Sequence, residues 1–266
     1  MHQANLPLPA DVRAMNALVA LAVLALVLMG LALAWQWALR NPAFDLTRIT
    51  VRGDTAHVNA ATLRANVAPR LAGNFFTMDL SKTRAAFEAV PWVRRASVQR
   101  LFPNALAVSL QEHKPVAFWG DDDDSTMLNE QAEVFVANVD EIDEDLPHLT
   151  GPTGQAPLVL AMYRALAPEL DVIEAPLAML ELSPRGGWRA TTEADAVIEL
   201  GQGSVSEVQA RLKRFTRSFT QVASRYGRGA GHLESADLRH SEGYALRLRG
   251  VGELPPEQAR FAAPKR

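Results

Sequence analysis

The sequence predicts an α+β protein carried on a single N-terminal membrane-spanning helix, and three observations carry that prediction. An apolar run from Ala17 to Trp35 sits in a charge-free window between Arg13 and Arg40. Behind it, segments of alternating and of helical spacing follow in the order strand, helix, helix, strand, strand over Thr47 to Glu112. From Val116 onward, short alternating segments predominate, interrupted by two longer amphipathic patterns. A chain of 266 residues has room for two modest domains beyond the anchor, each with its own core.

A helix of about 19 residues rising 1.5 Å each reaches roughly 28 Å, close to the hydrocarbon thickness of a bilayer. Trp35 and Trp37 stand where an aromatic belt marks the second interface, and Arg40 closes the segment. Ala32-Leu33-Ala34 resembles a small-residue cleavage site, which raises a cleaved signal peptide as the alternative. The apolar region exceeds the usual core of about 7 to 15 residues, and only Arg13 supplies a fixed positive charge ahead of it, so an uncleaved anchor over residues 17–39 is expected. Arg40, Arg48 and Arg52 outnumber Arg13, but long domains translocate largely regardless of charge, so the count does not set the orientation. Gly30 and Ala34 form a small-xxx-small pair, equally compatible with helix contact and with chance in an Ala-rich span. Residues 1–16 hold Pro7 and Pro9 without periodicity and read as a disordered tail.

Asn41-Pro42 breaks the helix. Thr47 to Arg52 alternates, with Ile49 and Val51 on the inward face of a half-buried strand that ends at Gly53-Asp54. Asn59 can cap a helix carrying Leu63, Val67 and Leu71; Leu80, Thr83, Phe87 and Val90 mark a second, stopped by Pro91. Val93 to Arg100 and Ala105 to Glu112 form strands around Phe102-Pro103-Asn104, with Ala96, Val98, Leu106, Val108 and Leu110 inward. Val116 to Trp119 is a short strand, and Asp121 to Asp124 a solvated acidic loop, since adjacent carboxylates lack the alternating spacing of a calcium loop. Met127-Leu128 and Val134 to Val136 suggest a hairpin around Asn129 to Glu133. Pro157 opens a helix with Val159, Met162, Tyr163, Leu166 and Leu170 on one face. Ala178 to Leu182, Trp188 to Thr192 and Ala196 to Leu200 form a meander that first turns at Gly186-Gly187. Val205 to Tyr226 is the clearest helix, striped by Val208, Leu212, Phe215, Phe219, Val222 and Tyr226, with Lys213, Arg214 and Arg217 on its solvated face. Ala236 to Arg239 and Tyr244 to Arg249 close the pattern as strands around Glu242-Gly243. Tyr244, Leu246 and Leu248 face inward on the last one, and Ala245, Arg247 and Arg249 outward. The segment 255–266 is Pro-rich, charged and read as loose.

Composition excludes several classes of function. A net charge of -3 gives no general argument for nucleic acid, and the absence of Cys removes disulfides, thiolate metal sites and Cys nucleophiles together. There is no paired-His zinc helix, no glycine-rich phosphate loop followed by Lys and no serine elbow. His57, His113, His148, His232 and His240 lack ligand spacing. Asp237, His240 and Ser241 supply the ingredients of a hydrolytic triad but crowd into one strand-turn where the side chains diverge. No catalytic residue, cofactor, metal or small-molecule substrate is therefore assigned.

Pro91-Trp92-Val93 followed by Ala96, Val98, Arg100, Pro103, Leu106, Val108, Glu112, Pro115 and Trp119 carries a recognisable pattern. It resembles the division-protein family FtsQ, called DivIB in Gram-positive bacteria, whose first extracytoplasmic module is a POTRA domain. Arg52-Gly53, Leu146-Pro147 with Gly151-Pro152, and Asp237-Leu238-Arg239 match in family order, the single anchor fits too, and the short tail, the absent Cys and the Leu-Pro…Gly-Pro segment look like the Gram-negative branch. The resemblance implies a POTRA domain of β-α-α-β-β order over 44–114 and a mixed β-domain with two helices over 115–254. It further implies a non-enzymatic inner-membrane protein of the division septum, N-terminus cytoplasmic and body periplasmic, that binds FtsB and FtsL and links early division proteins to septal peptidoglycan synthesis. The family's partner site maps onto Arg239, His240, Gly243, Tyr244, Ala245 and Arg247, with Arg185 as a weaker candidate. This sequence departs from its relatives there: His240 stands where Tyr is common, Glu242 replaces a small polar residue and no Trp follows Gly243.

Two other classes of function lack the features they require. A POTRA-bearing secretion or outer-membrane assembly factor would need many further alternating strands, and none follow Leu254. A membrane-anchored periplasmic hydrolase would need the catalytic constellation that the motifs lack.

Overall fold

The computed structural model describes residues 10–250 apart from 54, 59, 72–73, 121–124, 143–144, 226 and 241–242. The Asn59 cap, the Asp121–Asp124 loop, Tyr226, Ser241, Glu242 and the segment 255–266 lie outside the described residues. The described chain divides into two compact units, one ending at Glu112 and the other starting at His113.

Helix α1 runs from Ala10 to Arg40 and is long and apolar enough to cross a membrane. Residues 13–37 are exposed all round, the surface expected of a helix whose solvent is lipid. The helix starts seven residues before the apolar run, so residues 10–16 are not a disordered tail. Ala, Val, Arg and Met are adequate helix formers there, and propagating an existing helix costs far less than nucleating one. At the other end the helix stops before Pro42: Asn41 turns extended and its side chain accepts the Ala43 amide at 2.9 Å, opening a 3₁₀ turn over Pro42–Phe44.

The rest of this unit has the expected order, with β1 at Arg48–Gly53, α2 at Ala60–Val67, α3 at Leu80–Glu88, β2 at Val93–Leu101 and β3 at Ala105–Glu112. The sheet order is β1-β3-β2, with β1 parallel and β2 antiparallel to β3. Leu106, Val108 and Leu110 of the central strand are buried, as are Ala86 and Phe87 of α3 and Val67 of α2. Gly53 has φ 117°, and a Cβ there would collide with the Leu110 carbonyl, which explains the glycine after Arg52. Ile49 differs from expectation in being 41% exposed. Helix α2 gives way at Pro69 to a 3₁₀ turn over Ala68–Arg70, which also leaves Leu71 outside the helix. An open apolar cleft of about 640 Å³ remains between β1 and α2. Glu112 is buried at 4% exposure and its carboxylate accepts the amides of His57 and Val58, so it ties the loop after β1 to the end of β3.

The second unit holds β4 (Pro115–Trp119), β5 (Thr126–Asn129), β6 (Val134–Val136), β7 (His148–Thr150), α4 (Ala156–Asp171), β8 (Leu177–Leu182), β9 (Gly187–Thr192), β10 (Val197–Gln202), α5 (Val205–Ser224), β11 (Leu233–Asp237) and β12 (Ala245–Leu248). The strands make one nine-stranded sheet in the order β12-β11-β10-β9-β8-β7-β4-β5-β6. Helices α4 and α5 join parallel neighbours, β7 to β8 and β10 to β11, which is the connection parallel pairs require. Both helices pack on one face of the sheet, where Val159, Met162, Leu166, Leu170, Val208, Leu212, Phe215 and Phe219 meet Leu180, Trp188, Ala190, Ile198 and Leu200. On the opposite face Arg189 bridges Glu199 at 2.8 Å and Glu181 at 3.5 Å across three strands. Helix α5 begins with a capping box, Ser204 and Glu207 bonding each other's backbone amides. It ends at Ser224, two residues short of expectation, and Ala223 fills the last buried position. Strand β11 starts at Leu233, three residues earlier than expected, because Leu233 already pairs with Leu248 of β12 before the parallel ladder with β10 begins at Ser235.

Replacing Glu112 by Ala should cost about 3 kcal/mol or more, since each hydrogen bond to a carboxylate contributes about 1.5 to 3 and two amides lose theirs. Ser97→Ala, at an exposed position of β2, should stay within about 0.5 kcal/mol of the parent. Denaturant unfolding of the two variants is the measurement, and equal midpoints would contradict the locking role.

Candidate partner-binding edge

Strand β12 is the last of the nine-stranded sheet, and among the described residues no strand pairs with its outer side. It lies antiparallel to β11, with Ala245 opposite Asp237, Leu246 opposite Ala236 and Arg247 opposite Ser235. The Arg249 amide donates inward to the His232 carbonyl at 2.8 Å. Backbone groups alternate sides along an antiparallel strand, so Leu246 and Leu248 turn their N–H and C=O outward. Side chains alternate between faces: Leu248 is buried and Leu246 partly so, while Ala245 and Arg247 are exposed.

Topology gathers most of the sequence-assigned residues at one end of the sheet. Strands β10 and β11 run parallel and finish together, β12 starts beside Asp237, and the β8–β9 turn sits next to Gln202 at the end of β10. Arg239, His240, Gly243, Tyr244 and Ala245 therefore share a rim with Arg185, whose carbonyl accepts Gln202 Nε2 at 2.8 Å. Arg185 is three strands from β12, about 14 Å at ordinary strand spacing, so it belongs to the rim but not to the edge. Arg247 stands along the strand itself, 3.6 Å from Glu234, an exposed pair of small energetic weight.

The rim residues differ in how far they are committed within the chain. The Arg239 guanidinium forks onto Asp237, Nε to Oδ1 at 2.9 Å and Nη2 to Oδ2 at 2.6 Å, and its amide adds a third bond to Oδ1. The Arg239 side-chain hydrogen bond holds the Asp237 carboxyl down to about 2 against an ordinary 3.8; partial burial opposes it, and the Arg239 amide and the charges of Arg239 and His240 assist. The Tyr244 ring stands edge-on to Phe215 at 5.0 Å, and its hydroxyl lies 2.8 Å from Ser218 Oγ. Gly243 is open, with no atom near the position a Cβ would take. Its φ also lies outside the left-handed region.

Beside the rim, Arg211, Arg214, Phe215, Ser218, Leu238, His240, Gly243 and Tyr244 enclose a cleft of about 210 Å³. The sequence pattern does not reveal this cleft: Arg214 falls on the polar face of α5 and Phe215 on its apolar stripe, and nothing in the pattern singles out Arg211 or Ser218. Their spacing of 211, 214, 215 and 218 was the available signal, because it puts them on one face of α5. Arg211 hydrogen-bonds the carbonyls of Leu200 and Gln202, fixing α5 to the end of β10. No cluster of His, Asp or Glu that could hold a metal occurs among the described residues. The edge can offer backbone groups, a small cleft and cationic side chains.

The comparisons with known proteins agree with one another. The family model described as cell division protein FtsQ/DivIB, C-terminal, matches residues 117–239, and the POTRA domain of FtsQ type matches residues 44–113. The cell division protein FtsQ of Burkholderia pseudomallei is 43% identical over 91% of this chain and 94% of its own length. The chain belongs to the FtsQ/DivIB family of cell division proteins. Its similarity extends to the FtsQ proteins of Thiomonas arsenitoxydans, 37% identical over 93% of this chain and 91% of the relative, and of Bordetella pertussis, 36% identical over 94% of each. The C-terminal family model stops at Arg239, so the rim from His240 onward and all of β12 lie past its end.

A carboxyl whose pKa is lower in the folded than in the unfolded state contributes stability that is complete above the unfolded value and lost as pH falls through the folded one. For Asp237 that window runs from about 3.8 down to about 2. Asp237→Asn should therefore be less stable than the parent at neutral pH, with the difference shrinking across that window. A difference that stays constant with pH would disconnect the Asp237–Arg239 pair from folding.

Proposed function

We propose that this FtsQ-family chain is a non-enzymatic scaffold of the division machinery that captures FtsB, and through it FtsL, by adding a partner strand to β12. Helix α1 is read as its single inner-membrane anchor, with the N-terminus in the cytoplasm and the body in the periplasm at the septum. The POTRA domain is assigned to 44–114 and the partner-binding domain to 115–254. The observation that carries the reading is the position of β12: in a chain of this family, the last strand of a nine-stranded sheet has no described neighbour on its outer side. A peptide laid along it gains main-chain hydrogen bonds from Leu246 and Leu248, and side-chain specificity from the adjoining cleft and from Arg247. On this reading the protein transforms no substrate; it holds the septal synthesis apparatus to earlier division proteins.

The seven assigned residues then divide by role. Gly243 and Ala245 let a partner backbone approach closely, and Arg247 and His240 offer charge and hydrogen bonds. Tyr244 holds the start of β12 against Phe215, and Arg239 shapes the rim through Asp237. Arg185 lies too far along the rim for a peptide confined to β12 and serves a partner that also crosses the β8–β9 turn.

Gly243→Val is the cleaner test, since the free protein has open space there while a partner would meet the new side chain. It should weaken FtsB binding by about 1 kcal/mol or more, the scale of an interface anchor. Tyr244→Ala should weaken it comparably while also lowering stability. Titration of the purified full-length protein with FtsB is the measurement, and unchanged affinity in Gly243→Val would remove β12 as the binding edge.

A further inference from the structure

At the junction between α1 and the POTRA domain, five aromatic rings gather on the outside of the unit. Phe76 is the hub: its centroid lies 6.0 Å from Trp35 on the helix, 4.9 Å from Phe44 and 5.3 Å from Phe75. Phe102, from the turn between β2 and β3, joins Phe75 at 5.9 Å and Phe44 at 6.3 Å. Such clusters are ordinarily core, but here Phe102 is 76% exposed, Phe76 36% and Trp35 57%. Three exposed rings from three separate segments, joined through the half-buried Phe44 and Phe75, form a contiguous apolar surface, which a water-facing domain rarely leaves bare.

The cluster is also tied to the helix at a fixed height. Asn74 is buried at 6% exposure, and its Nδ2 donates to the Leu39 carbonyl at 2.7 Å, satisfying one of the carbonyls left over at the helix C-terminus. Its Oδ1 accepts the Phe76 and Thr77 amides at 3.0 Å, so the same side chain shapes the turn that presents Phe75 and Phe76. The Phe75 amide bonds the Phe44 carbonyl at 2.8 Å, closing the junction.

We infer that this cluster is a second membrane contact: Phe76, Phe75 and Phe102 lie in the outer headgroup region beside the anchor and set the POTRA domain against the lipid surface. The inference rests on the reading of α1 as a membrane anchor and goes beyond it. Trp35 ends the apolar run and so marks the interface, whose headgroup layer is roughly 5 to 7 Å thick. A ring 6.0 Å from Trp35 lies within or at the margin of that layer. Aromatic rings favour this zone because their apolar bodies are buried while their polarisable faces remain near water. Arg40, at the helix end, and Arg48, at the start of β1, are exposed cations in the same unit, suited to anionic lipid phosphates.

The absence of Cys makes the test direct, because a single introduced Cys is the only label site. Full-length protein carrying Phe76→Cys or Phe102→Cys is spin-labelled and reconstituted into vesicles of phosphatidylethanolamine and phosphatidylglycerol. Collision with oxygen is compared with collision with a water-soluble nickel chelate. Leu28→Cys, Trp37→Cys and Ser97→Cys give the mid-helix, interface and water references. The oxygen-to-nickel ratio at 76 and 102 is expected to match that at Trp37 and exceed that at Ser97. Ratios at 76 and 102 equal to Ser97, with Leu28 in hydrocarbon, would overturn the contact and leave the anchor standing; the rings would then face a protein partner missing from the vesicles. A water-like ratio at Leu28 would overturn both.

Discussion

Backbone hydrogen bonding governs how the second unit can end. A sheet built by adding strands must stop somewhere, and the last strand leaves half its N–H and C=O groups without a protein partner. Among the described residues β12 occupies that position, held by β11 on one side and by the Tyr244 ring against Phe215. Everything that positions the rim follows from two helical crossovers: α4 sets β8 beside β7, and α5 sets β11 beside β10, so the ends of β10 and β11 and the start of β12 share one end of the sheet.

Helix α5 links core to rim. Its inward stripe of Val208, Leu212, Phe215 and Phe219 is buried against the sheet, while Arg211, Arg214 and Ser218 along its flank line the cleft beside β12. Phe215 takes part in both, lying in the core and presenting its ring to Tyr244. Core packing thus sets the geometry of the edge, and a change in the stripe would be felt at the rim without touching it.

Much of this is legible in the sequence, for a physical reason in each case. The apolar run of α1, the stripe of α5 and the alternation of β2 and β3 are long periodic signals, and each corresponds to an element. Strand β7 was not legible: His148–Thr150 is three residues long, too short to alternate, and it exists because β4 and β8 pair with it on both sides. Parallel pairing of β10 with β11 was equally hidden, since periodicity reveals strands but not their neighbours. The rim residues came from family resemblance; what the sequence lacked was their shared location, with Arg185 brought to the same end by topology alone. The cleft was missed because Arg211, Arg214 and Ser218 on a polar face look the same whether they meet solvent or border a groove.

On the proposed reading, magnitudes decide where affinity must come from. The described part of β12 is four residues long and turns only the backbone groups of Leu246 and Leu248 outward. Net contributions of about 1 kcal/mol per hydrogen bond give a ladder of some 4 kcal/mol, no more than the lower end of the 4 to 15 kcal/mol that association costs in lost freedom. The ladder can set register but cannot by itself hold a partner, and the same shortness, with Arg247 on the strand, guards the edge against indiscriminate pairing. Selective capture therefore has to draw on side chains, and the nearest surface able to receive them is the cleft between α5 and His240–Tyr244. His240 and an unobstructed Gly243 line that cleft, so on this reading they stand where specificity has to be decided.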